Sequence, residues 1–138
     1  MDNYTKIINK LKTIAKEFKT RLYLWNSDDG SHGQYCTIKK RIYVARYLTY
    51  RETISAFFHE LSHFLDHNEG IYKRFYLVSS AQKIHRFLAL RAELHTDKRA
   101  EKLMKKYFPK VKYIKSYRNK KDIQYLRDYY KDKRNKYE

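Results

Sequence analysis

The chain has little of what builds long loops, crosslinks or membrane spans. Its 138 residues include three Gly and one Pro, which excludes collagen-like or linker-rich architecture. A single cysteine, Cys36, excludes an internal disulfide and suits a reducing compartment, so the expected location is cytoplasmic. No run approaches the roughly 18 apolar residues needed to cross a bilayer, and no membrane partner is expected. The opening stretch MDNYTKIINKLKTIAKEF lacks the apolar segment and small-residue cleavage site of a secretory signal. Acidic residues are scarce as well, 15 against 32 Lys and Arg, for a net charge of +17.

What is present suffices for a core. Hydrophobic residues make up 42% of the chain, which excludes disorder as its general description, and the length fits one domain. The positive charge points to an acidic partner such as nucleic acid, and 15 Tyr offer ring faces on which bases stack. Tyr residues that straddle core and surface account for the same composition.

Local patterns place the elements. Tyr4, Ile7, Ile8, Leu11, Ile14, Ala15 and Phe18 recur at helical spacing and predict an amphipathic first helix. RLYLWN (Arg21 to Asn26) alternates as a strand does, and SDDGSHG after it reads as a loop. QYCTI and RIYVAR, joined by Lys39-Lys40, read as a hairpin. Thr49 and Glu52 form a capping box that opens a helix through Ile54, Phe57, Phe58 and Leu61, closed by Asn68-Glu69-Gly70. Ser79 or Ser80 caps a long helix that runs to about Tyr107, with Pro109 preventing continuation. From Lys110 to Glu138 there are 11 Lys and Arg against four acids, and Ile123, Leu126 and Tyr130 share one helical face. The expected fold class is α+β: a helix, a small antiparallel or mixed sheet, two central helices and a basic C-terminal helix. Residues 1–109 form the domain and 110–138 a basic, Tyr-rich extension.

The segment His59-Glu60-Leu61-Ser62-His63 carries chemistry. Residues four apart share a helix face, so His59 and His63 can aim ring nitrogens at one metal ion, with Glu60 placed to take a proton from water. Six His in this composition yield such a pattern by accident in about one chain in eighty, and its mid-helix position behind a capping box makes accident rarer. Catalytic zinc takes three protein ligands and keeps one position open. The long downstream helix offers Glu93 and Asp97, four apart in a stripe with Ala89, Leu90, Ala100 and Met104. Buried carboxylates are costly unless paired or metal-bound. Glu93 is therefore the expected third ligand, and Asp97 the acceptor for the far ring nitrogen of His59 or His63. The alternative is a solvated salt-bridge ladder of Arg86, Glu93, Asp97 and Glu101. His67 lies two turns from His59 and reads as a surface or supporting residue; Asp66 braces the site or the core. His85 and His95 read as exposed.

HELSH, followed about thirty residues later by Glu93-Leu-His-Thr-Asp97 and then Ala100 and Leu103-Met104, resembles the gluzincin zinc metallopeptidases. Among them the chain is most similar to small kinds: ImmA/IrrE-like, SprT-like and minigluzincin proteins. The resemblance covers Arg41 to Pro109. It implies a zincin-like fold, a Zn2+ held by His59, His63 and Glu93, Glu60 as general base and acid, and a peptide or protein substrate lying along RIYVAR as the edge strand. The expected activity is endopeptidase hydrolysis. The tail, with Lys112, Lys115, Arg118, Lys120, Lys121 and Arg127, is expected either to hold nucleic acid, directing the enzyme to DNA-associated proteins, or to keep it latent. The rival expectation is a basic nucleic-acid-binding regulator whose zinc site is structural or vestigial.

Overall fold

The computed structural model describes residues 2–26, 30–71 and 82–115, with side chains described for all of these except 82–90. Asp2 caps helix α1 (Asn3–Glu17): its carboxylate accepts a 2.6 Å hydrogen bond from the Thr5 amide, which holds its pKa below the ordinary value. The apolar stripe read from the sequence is the buried one, with Ile8, Leu11, Ile14 and Ala15 facing inward.

Three strands follow: β1 (Arg21–Trp25), β2 (Gly33–Cys36) and β3 (Arg41–Ala45). β2 and β3 form the expected hairpin, with Cys36 opposite Arg41 and Gly33 opposite Val44. The sheet order is β1-β3-β2, and β1 runs parallel to β3. The sheet is therefore mixed, and RIYVAR is its central strand; the expectation that it forms an edge is corrected. Alternation in a short run marks a strand but not its neighbours. Here the Arg21 amide donates to the Lys40 carbonyl at 3.1 Å, which sets the start of β1 beside the start of β3. The edge nearer the helix that follows belongs to β2.

That helix, α2 (Tyr50–Asn68), runs through the middle of the molecule. Thr49 and Glu52 make the capping box at its start, and Gly70, at φ 72°, takes the left-handed position after its end. Residues 53–59 and 61–64 are buried on every side, as befits a helix packed between a sheet and another helix. Phe57 and Phe58 are fully buried and meet edge to face at 5.1 Å. Truncating either to Ala would cost about 3–5 kcal/mol.

α2 packs on helix α3 (Gln82–Tyr107) through a polar clamp. Asp66 is 0% exposed. It accepts hydrogen bonds from Thr96 Oγ1 and Arg99 Nη1, both at 2.9 Å, and lies 3.1 Å from His95 Nδ1. Arg99 also grips Glu69 at 2.8 and 2.6 Å, which pulls the Glu69 pKa down. Asp66 thus braces the α2–α3 contact; His95 is exposed, as expected, with its Nδ1 turned to that carboxylate.

Beyond Pro109 the chain folds back over α2. The Lys112 carbonyl accepts from Arg51 Nε at 2.7 Å, the Ile114 amide donates to Ser55 Oγ at 3.1 Å, and Tyr113 is 6% exposed. Residues 111–115 are part of the packed body, so the expected division after residue 109 does not separate them from it. The Ser79/Ser80 cap, the C-terminal helix, and Arg118, Lys120, Lys121 and Arg127 lie outside the described residues. No described helix is long and apolar enough to cross a membrane.

Candidate metal centre

α2 and α3 cross so that the two histidines of HELSH meet a carboxylate from the other helix. His59 Nε2 and His63 Nε2 lie 2.9 Å apart. Glu93 reaches toward both, with Oε1 3.2 Å from His63 Nε2 and Oε2 3.5 Å from His59 Nε2. One ligand atom from each of the three residues falls within 4.8 Å of the others, so His59, His63 and Glu93 can hold a metal ion. Two further facts fit an ion at this point. Glu93 Oε2 is buried yet receives no hydrogen bond, a state that calls for a cation or a donor. Two imidazoles and a carboxylate are also a donor set that zinc accepts.

The far side of His59 is held by a buried chain of hydrogen bonds. Tyr113 Oη donates to Asp97 Oδ1 at 2.6 Å and lies 3.0 Å from His59 Nδ1. Asp97 is 1% exposed, with Oδ1 3.3 Å from His59 Nδ1. Burial, and then the Asp97 charge, push the Tyr113 hydroxyl far above its ordinary pKa, so it keeps its proton and gives it to Asp97. The phenol oxygen is left to accept from His59 Nδ1–H. That bond keeps the proton on Nδ1 and the lone pair on Nε2, where a metal would bind. Asp97 therefore acts on His59, both directly and through Tyr113. It does not belong to a solvated ladder.

Glu60 stands beside the ligands and lines a cleft of about 430 Å³. His32, Gly33, Ser55, Ala56, His59, Ile114 and Lys115 are among the residues that line it. Burial raises the Glu60 carboxyl from 4.5 to about 7; His59 opposes the rise and Glu93 adds to it. Gly33 passes so close that a Cβ there would fall 2.7 Å from Glu60 Cγ and 3.0 Å from the Tyr43 carbonyl oxygen. The bare backbone at residue 33 is what gives Glu60 its place.

Two aromatic supports complete the centre. Tyr35 of β2 stacks on the His63 ring, centroids 5.1 Å apart and planes 8° from parallel. Its hydroxyl lies 2.6 Å from His67 Nδ1, and burial lowers the His67 pKa. His67 is thus a supporting residue, not a ligand. Of the tail residues expected to meet nucleic acid, Lys112 is exposed, while Lys115 lines the cleft 4.0 Å from Glu101.

The sequence reading missed Tyr113, Tyr35 and Gly33. Fifteen Tyr carry no label that singles out two. A Gly in a loop-like segment gives no sign that a carboxylate lies against it. Comparison with family models, with curated proteins and with solved structures returns no match to this chain.

Proposed function

We propose that this chain is a zinc-dependent endopeptidase of the gluzincin kind, with a zincin-like fold. The observation that carries the reading is the convergence of His59, His63 and Glu93 next to a carboxyl group, Glu60, whose pKa of about 7 suits proton transfer near neutrality. Zinc bound there would supply Lewis acidity, acidifying water and polarising a carbonyl. The chain's own residues do the rest. Glu60 takes a proton from the attacking water and passes it to the leaving amine. Asp97 and Tyr113 hold the His59 proton on Nδ1. An extended peptide lies along the β2 edge, beside the cleft that Gly33 and Glu60 line.

The regulator reading, with a structural zinc, is less well supported. Structural sites close with four protein ligands, whereas three donors gather here among the described residues and an open cleft adjoins them. It also leaves Glu60 without a task. Whether the enzyme acts on DNA-associated proteins or is held latent is separated by removing residues 116–138. Lost DNA affinity supports the first and gained peptidase activity the second.

The test is zinc per chain by elemental analysis, with turnover of an unstructured protein such as casein. Wild type should carry about one zinc and Glu93→Ala much less, while Glu60→Gln keeps its zinc and loses turnover. Absence of zinc from wild type purified without chelators, or full activity in Glu60→Gln, would overturn the proposal.

A further inference from the structure

The face of the sheet turned away from the helices has a chemistry that the metal centre does not use. Strand alternation sends Leu22, Ile42 and Val44 into the core and Arg21, Tyr23, Trp25, Arg41 and Tyr43 to the opposite face. Because β1 and β3 run in register, Arg21 sits beside Arg41 and Tyr23 beside Tyr43, with Gln34 of β2 next to Tyr43. The result is a cationic row followed by an aromatic row.

The rings touch one another rather than the core. Tyr23 and Tyr43 have centroids 5.8 Å apart, and Trp25 meets Tyr43 edge-on at 6.5 Å. The Arg41 guanidinium lies over the Tyr23 ring at 4.6 Å. None of the three rings packs against the hydrophobic core, whose buried side is served by Leu24 and Tyr35 instead. Among the described residues, no Asp or Glu occurs in 18–26 or 30–51, where Arg21, Lys39, Lys40, Arg41 and Arg46 all stand. Asp28 and Asp29 fall between these stretches, outside the described residues. Two arginines at adjacent positions on neighbouring strands repel, and a phosphate between them relieves that repulsion.

We infer that this face binds single-stranded nucleic acid. Bases stack on Trp25, Tyr43 and the Arg41 guanidinium, which itself lies over Tyr23, and Arg21 and Arg41 hold phosphates. Unpaired bases offer their faces to such rings, whereas a duplex keeps them stacked inside, so the surface selects single strands. The inference does not depend on zinc or on Glu60, since the metal ligands come from α2 and α3 on the other side of the sheet.

The chain has one Trp, so its emission reports directly on this face. The full-length protein is titrated into a fluorescein-labelled oligothymidylate about 12 nucleotides long at fixed salt, with anisotropy and Trp25 emission both recorded. Binding should quench Trp25. Tyr43→Ala should weaken binding about tenfold or more, and Arg41→Gln, a change at a half-buried position that leaves the core side chains of β3 in place, should do likewise. Glu93→Ala should bind as wild type does. The inference is overturned by an absence of binding, by binding that leaves Trp25 emission and both variants unchanged, or by a duplex that binds as tightly. Displacement by polyglutamate as effective as by unlabelled oligonucleotide overturns it too, because that marks a general anion surface.

Discussion

Replacing Tyr113 with Phe deletes one oxygen atom and keeps the buried ring. That oxygen gives a 2.6 Å hydrogen bond to Asp97 and stands 3.0 Å from His59 Nδ1. Asp97 is 1% exposed, and weakening the support of a buried carboxylate costs about 1–3 kcal/mol. His59 Nδ1, already 3.3 Å from the same carboxylate oxygen, can turn to it and recover part of the loss. The expected cost to the metal-free protein is therefore about 1–2 kcal/mol, read by urea unfolding. The hydroxyl also fixes the His59 tautomer, and partners of this kind are worth about 10–100-fold in metal affinity. With Asp97 still in place, zinc affinity should fall about tenfold, measured by competition with a chromophoric chelator. If Tyr113→Phe loses stability while its zinc affinity stays within about twofold of wild type, Tyr113 merely packs and the tautomer argument fails.

The pH dependence of the metal-free protein should carry the mark of Glu60. Its folded carboxyl titrates near 7 instead of 4.5, so the folded state binds the proton more tightly than the unfolded state does. Glu60 thus costs nothing below about pH 4.5, costs more as pH rises, and reaches about 3 kcal/mol above pH 7. Glu60→Gln should be more stable than wild type at about pH 8 and nearly equal to it at about pH 4.5; a constant gap refutes this. Gly33→Ala brings a Cβ within 2.7 Å of Glu60 Cγ, so Glu60 must move. Peptidase turnover should drop at least about tenfold while elemental analysis finds zinc content unchanged. Arg99→Met strips the buried Asp66 of its cation and should cost about 3 kcal/mol in urea unfolding. Adding Asp66→Asn should return part of that loss, and failure to do so would mean that the clamp is not electrostatic.

Much of the fold and part of the candidate site are legible in the sequence, because they are local. The capping box at Thr49 and Glu52, the stripe of α1 and the β2–β3 hairpin each lie within a few residues of their own partners. The pairing of His59 with His63, and of Glu93 with Asp97, follows from the helix repeat alone. That these two pairs meet was an expectation drawn from the cost of burying carboxylates, and their distances across α2 and α3 are properties of the packing.

Other features had no local mark. RLYLW reads as a strand in any sheet, and its parallel place beside β3 was decided by where the chain returned. Tyr113 and Gly33 reach the centre through contacts with α2 from far along the chain, which no periodicity announces. The sequence alone determined which residues share one face of one element, because backbone geometry repeats every few residues. Only the tertiary structure decided which faces meet, because that depends on the mutual fit of distant side chains. The raised carboxyl of Glu60, the supported ring of His59 and the aromatic cluster on the outer face of the sheet all arise from that fit.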